Sequence, residues 1–183
     1  DIKKESDQFI FFSVAFLEGE KGFDTLIKAF SKKFKNEKVR LVIGGDGSQR
    51  EWLEGIAKSE GIENQVTFTG ALSREEVSSW MNKCDVFVLP SRYETFGVVY
   101  IEALASGKPI IGTFNGGAED IVSKDVGILV EIDNIKDLSE AMEYMRKNNK
   151  KYEPDKLRKY CTEKFSANVI IKKIINVYKE VIK

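Results

Sequence analysis

The sequence predicts an α/β chain with a doubly wound parallel sheet of about six strands, and three observations carry that prediction. Short, nearly continuous apolar runs alternate with longer amphipathic stretches, the pattern of strands covered on both faces and joined by crossover helices. Glycine-rich turns recur after the apolar runs rather than before them. In the stretch 90–107, one such run leads through a polar loop and a glycine into an apolar helix, an arrangement that aims backbone N–H groups at an anion.

Residues 9–16 form the first apolar run, followed by the turn Glu18-Gly19-Glu20-Lys21-Gly22 and a helix with Leu26, Ile27, Phe30 and Phe34 on one face. Residues 39–43 repeat the strand, 44–47 the tight turn, and a helix from near Ser48 is expected to carry Trp52, Leu53, Ile56 and Ala57 inward until Gly61 ends it. A third strand at 66–69 precedes Ser73-Arg74-Glu75-Glu76, a capping box opening a helix with Val77, Trp80, Met81 and Cys84 on one stripe. The fourth strand spans 86–89, and its helix runs to about Ser106. Residues 110–113 and 127–130 are the fifth and sixth strands, with a short helix between them opened by Asn115-Gly116-Gly117 and reaching Val122. Leu138, Ala141, Met142 and Met145 mark the next helix. Two C-terminal helices then break the alternation, one opened by Pro154 and ending near Phe165, the other capped by Ser166 and running to Ile182. The last carries two adjacent apolar stripes, Ile170/Ile174/Val177/Val181 and Ile171/Ile175/Tyr178/Ile182, which suit either deep packing on this domain or a second surface for a partner domain.

Composition narrows the function classes. At 183 residues the chain fits one domain, read here as 1–183. Lys plus Arg and Asp plus Glu are equal at 29 each, so nothing suggests nucleic acid as a partner. There is no histidine, which removes the commonest general base and metal ligand, and no cysteine cluster replaces it; no metal site is expected. Cys84 and Cys161 read as reduced and packed, consistent with a cytoplasmic location. No apolar run approaches the roughly 20 residues of a transmembrane helix. The lysine-rich tail after Lys147 reads as a solvated face, with weak attraction to anionic lipid as the alternative. The abrupt, charged start at Asp1 reads as a piece cut from something longer.

In a parallel sheet of this kind ligands bind outside the carboxyl ends of the strands. The loops there hold Lys21, residues 44–47, Gly70-Ala71, residues 92–97 and residues 115–117. Glu94 and Glu102 stand eight residues apart on either side of the glycine that opens the fourth crossover helix. Glu94 alone reads as a solvated loop residue. Glu102 sits among Val98, Val99, Ile101, Leu104 and Ala105, so it is expected to be buried and to need partners, either a nearby cation or ribose hydroxyls. Charge on a departing diphosphate falls to Lys21, Arg92 and helix N-termini.

These residues resemble the family 4 (group 1) retaining glycosyltransferases of GT-B architecture, in which two glutamates flank seven residues around Phe-Gly. Residues 90–107 match that signature, residues 13–30 are similar to the family's first strand and helix, 41–47 to its Gly-Asp-Gly turn, 66–70 to its third strand, and Gly116-Gly117 to its later Gly-Gly loop. The resemblance implies a Rossmann-like, carboxy-terminal, nucleotide-sugar-binding half of a two-domain enzyme. It implies UDP- or GDP-sugar as donor, no metal or other cofactor, and an absent N-terminal acceptor domain as partner. Surface polysaccharide or glycolipid synthesis in a bacterium is implied, with peripheral association of the full-length enzyme at the inner face of the membrane. By the same resemblance Glu94 and Lys21 are the catalytic candidates, Glu94 on the donor sugar and Lys21 on the diphosphate. Glu102 binds ribose, the N–H groups of Phe96, Gly97, Val98 and Val99 meet the diphosphate, and Arg92, Gly45, Gly116 and Gly117 complete the donor site.

Two positions depart from the family pattern. Phe16 stands where the family usually has arginine, five residues before the lysine, so a bidentate phosphate contact is missing unless Arg92 reaches in. Glu119 and Asp120 replace the usual proline and glutamate after the Gly-Gly loop. Phe16 favours the rival reading, a non-catalytic transferase-like binding or scaffold module; intact Lys21, Glu94 and Glu102 argue against it. An epimerase acting on nucleotide sugars shares the architecture and is disfavoured by the Phe-Gly motif.

Overall fold

The computed structural model describes residues 8–182, and the charged opening residues lie outside them. Six parallel strands form one sheet in the order β3-β2-β1-β4-β5-β6, where β1 is Phe9–Val14, β2 Val39–Gly44, β3 Val66–Gly70, β4 Val86–Val88, β5 Ile110–Thr113 and β6 Gly127–Val130. The winding reverses between β1 and β4, which pair directly through Phe11–Val86 and Phe12–Phe87. Sheets wound in this way bind ligands in the crevice outside the carboxyl ends of the strands at such a reversal.

The unbroken apolar pattern of β1 has a direct cause. Successive side chains point to opposite faces, and helices cover both. Phe11 turns to one face, 5.4 Å between ring centroids from Phe34 of α1 (Phe23–Phe34). Phe12 turns to the other, 6.1 Å from Trp80 of α3 (Arg74–Lys83). On the first face α1 packs between α2 (Arg50–Ser59) and α5 (Ile135–Asn148). On the second, α4 (Val98–Ala105) packs between α3 and α6 (Pro154–Phe165). Ser73 caps α3 with the reciprocal Glu76 contact, at 3.2 Å and 2.8 Å.

Several expectations are corrected. Trp52 is 51% exposed rather than inward, because it lies about a quarter-turn from the buried stripe of Leu53, Ile56 and Ala57, and α2 begins at Arg50. The short helix after Asn115 is only a 3-10 turn, Ala118–Asp120. Ser166 occupies the N-cap position of α7 (Ala167–Val181) without a side-chain capping bond. α7 buries no residue of its own, so deep packing on this domain is excluded. Cys84 and Cys161 are both buried. Among the described residues no helix is long and apolar enough to cross a membrane, and no group of three or more His, Cys, Asp or Glu is placed to hold a metal ion.

Candidate functional site

Lys21 and Glu94, 73 residues apart, meet at the switch point: Nζ lies 3.1 Å from Oε2, with both side chains 16% exposed. Lys21 ends a 3-10 turn, Gly19–Lys21, that follows β1. Glu18 and Leu17 tether this loop to the start of α2: Glu18 accepts from the Ser48 N–H at 3.0 Å and its hydroxyl at 2.7 Å, and Leu17 O accepts from Gln49 N at 3.0 Å. The Ser48 N–H and hydroxyl hold the Glu18 carboxyl below the usual carboxylate range.

The loops interlock where side chains are missing. A Cβ on Gly22 (φ +68°) would lie 2.1 Å from the Pro90 carbonyl oxygen, so the loops after β1 and β4 touch only because residue 22 is glycine. A Cβ on Gly117 would lie 2.7 Å from the Glu94 carbonyl oxygen and 2.9 Å from Phe96 N. Glu94 N donates to Asn115 O at 3.3 Å across the same contact. Gly117 thus supports the Glu94 backbone, and its own N–H is taken by Asn115 Oδ1 at 3.2 Å. Gly116 N donates to Glu119 Oε2 at 3.0 Å, so the residue in the family's proline position caps this turn. Gly117 supplies the close approach and Gly116 the left-handed turn at φ +97°, and both N–H groups are already bound. Gly45 N donates to Gly70 O at 2.8 Å and ties the loop after β2 to the end of β3, and a Cβ on it would lie 1.9 Å from the Ala15 carbonyl oxygen just past β1.

Gly97, at φ +80°, is the N-cap of α4. The first-turn N–H groups of Val98 and Val99 have no partner within the helix, and they point toward the crevice end with the positive end of the helix dipole. Phe96 and Val98 are exposed beside them, and Val99 is half-buried. Tyr100 anchors the turn from below: its hydroxyl donates to Leu89 O at 2.8 Å, and burial pushes its ionisation well above the usual tyrosine range.

Two expectations about charged groups change. Glu102 is exposed, because α4 is covered on only part of its circumference. Val98 and Glu102 instead form one wall of an open groove of about 580 Å³ whose other wall is Leu72, Arg74, Val77 and Met81 of the β3–α3 segment. Glu102 therefore needs no internal partner, and it faces space large enough for a nucleoside. The opposing wall escaped sequence reasoning, since Leu72 and Val77 pattern simply as helix-entry and core residues. Arg92, expected on the donor edge, has its guanidinium engaged within the fold. Its guanidinium is engaged by Asp133, through Nε at 2.8 Å and 3.0 Å, and by Asp24, through Nη2 at 2.9 Å and 3.1 Å, while Nη1 donates to Gly19 O. The Arg92 guanidinium holds the Asp133 carboxyl below its ordinary range. This network also escaped the sequence, because its members lie 41 and 68 residues from Arg92 and each looks like an ordinary loop or helix-start residue. Phe16 is 78% exposed on the same edge.

A lysine–carboxylate pair and a helix N-terminus thus lie together at the strand-order reversal of a parallel α/β sheet, where sheets of this class bind their ligands and helix N-termini favour anions. Residues 1–164 match the model of the glycosyl transferases group 1, and the chain belongs to that family. It is 31% identical over 178 residues to an uncharacterized glycosyltransferase of Methanocaldococcus jannaschii, covering 96% of this chain and 46% of the relative. It is also 31% identical over 165 residues to the 2-deoxystreptamine N-acetyl-D-glucosaminyltransferase of Niallia circulans, covering 87% of this chain and 42% of the relative. The fold superimposes on Anabaena HepE in complex with UDP-glucose with a TM-score of 0.84 at 24% identity, over 95% of this chain and 49% of that one. The chain thus spans about half the length of the relatives it matches.

Proposed function

We propose that this chain is the nucleotide-sugar-binding, carboxy-terminal half of a retaining, metal-independent hexosyltransferase of GT-B architecture. The observation that carries the reading is the Lys21–Glu94 pair at the strand-order reversal, beside the N-terminus of α4. In this reading the diphosphate of a UDP- or GDP-sugar lies over the first turn of α4. Lys21 turns from Glu94 to the phosphate oxygens, and Glu94 is released to accept hydrogen bonds from the sugar hydroxyls. Glu102 accepts from the ribose hydroxyls, and the groove toward Leu72 takes the base. The transition state is oxocarbenium-like, so fixed donors aimed at the departing phosphate supply the larger stabilisation. The UDP-glucose complex of HepE supports a nucleotide-sugar donor, and the 2-deoxystreptamine N-acetyl-D-glucosaminyltransferase supports sugar transfer as the reaction. The acceptor side belongs to the other half of the enzyme, with the unpartnered face of α7 turned toward it. The full-length enzyme would work in the cytoplasm, at the inner face of the membrane, on a surface polysaccharide or glycolipid.

The test is calorimetric titration of the chain with UDP and GDP, repeated on Glu102→Ala. One of the two nucleotides should bind, and Glu102→Ala should weaken it about 10- to 100-fold, the loss of hydrogen bonds to a charged acceptor. The chain alone should transfer no sugar from a nucleotide sugar. A second reading, a non-catalytic scaffold module, is favoured by Phe16 in place of the arginine. No heat with either nucleotide from a folded chain would favour that reading.

A further inference from the structure

We propose that Arg92 is the positioning residue of this site, setting both ends of the Lys21–Glu94 pair rather than touching the donor, an inference that rests on the donor-site reading above. Arg92 grips the turn that ends in Lys21 at two points. Its main-chain N–H donates to Glu20 O at 2.7 Å, and its Nη1 donates to Gly19 O. Glu94 follows only two residues later in the same loop. A single residue therefore sets where the ammonium sits and where the carboxylate sits.

Three further contacts fix Arg92 itself. Asp24, in the first turn of α1, accepts from Nη2 at 2.9 Å, so the element following Lys21 is held along with the turn preceding it. Asp133, from the loop between β6 and α5, accepts from Nε at 2.8 Å and approaches Nη2 at 2.7 Å. The Thr25 hydroxyl donates to the same Asp133 oxygen at 3.0 Å, closing the ring onto α1. Asp133 adopts φ +57°, a left-handed conformation that a non-glycine residue adopts at some cost, and its carboxylate is the group presented to Arg92. The three guanidinium nitrogens point in three directions to two carboxylates and a carbonyl. A planar fork meets that demand and a lysine ammonium does not, since one point charge cannot span acceptors on three segments. Every guanidinium nitrogen of Arg92 already holds an acceptor of the fold, which keeps the fork aimed at these segments.

A double-mutant cycle on nucleotide affinity tests this, using UDP or GDP, whichever binds, with Arg92→Lys, Lys21→Ala and the double variant. Arg92→Lys should weaken binding about tenfold, and the double variant should lose no more than Lys21→Ala alone, because Arg92 acts through Lys21. Additive losses would overturn the proposal, as they mean an independent contact. The second readout is the side-chain ammonium NMR signal of Lys21, assigned by its loss in Lys21→Arg. It should move in Arg92→Lys to the position it takes in Glu94→Gln, while amide signals outside the four tied segments stay in place. An unmoved Lys21 signal in a folded Arg92→Lys chain would overturn the proposal. If Arg92→Lys does not fold, Asp133→Asn removes one arm of the fork and should give the same signal change to a smaller extent; no change there overturns it equally. Should the wild type bind no nucleotide while the Lys21 signal still moves, the donor reading fails and the positioning role stands.

Discussion

α1 and α7 carry apolar faces of similar regularity in sequence, yet they meet opposite surroundings. α1 buries Phe23, Leu26, Ile27, Ala29, Phe30 and Phe34 between the sheet and its neighbouring helices. α7 buries nothing: Ile174 is 50% exposed and Val181 77%. It touches the domain chiefly through α6. An apolar stripe at helical spacing thus states that a face suits cover, but not what covers it. For α1 the cover is local in the fold, and the same packing holds the Lys21 turn and Asp24 at the crevice. For α7 nothing among the described residues supplies it.

The contrast yields graded tests. Phe30→Ala should destabilise the chain by about 3–5 kcal/mol in denaturant unfolding, since its fully buried ring packs on Phe34 and Phe11. A loss under 1 kcal/mol would mean that α1 is not the packed member of the pair. Acid should act on the same packed side. Glu143 of α5 is held down to about 2 by hydrogen bonds from Lys147 and from Lys33 of α1. Its folded value lies below the unfolded value of about 4.3, so the contribution is present above that pH and disappears as pH falls toward 2. Melting temperatures measured from pH 6 to pH 2.5 should therefore fall less steeply in Glu143→Gln than in the wild type. At the other helix, Ile174→Ala should change stability by no more than about 0.5 kcal/mol, as for surface positions generally. Paired Ile171→Lys and Ile174→Lys substitutions should lower binding of a hydrophobic dye without shifting the melting temperature. A clear destabilisation there would show that α7 packs on the domain in solution.

How much was legible follows from where the information sits. Strand and helix identities could be read because both faces of the sheet are covered, making each strand a short continuous apolar run, and because local signals such as Ser73-x-x-Glu76 and Pro154 mark helix starts. The parallel winding follows from alternation, and with it the prediction that Lys21 and Glu94 share an edge. Their 3.1 Å contact bears out that placement. Side-chain surroundings were less legible. Glu102 looked buried because its neighbours in sequence are apolar, yet its face of α4 opens onto a groove. Arg92 looked free for a phosphate because Asp24 and Asp133 reach it only through the completed fold. Trp52 looked inward because it adjoins Leu53, although adjacent residues on a helix point about 100° apart. Periodicity reports a face, whereas the partner of a charged group is a long-range property.

The central claim is that the carboxyl edge around Lys21, Glu94 and α4 receives a nucleotide sugar. Backbone amide NMR of the chain titrated with UDP and GDP tests it most directly. The account predicts that the largest shifts fall on Val98, Val99, Glu102 and Leu72, followed by Lys21, with residues 167–181 unmoved. Saturable shifts concentrated on α6 and α7, with the α4 N-terminus silent, would contradict it.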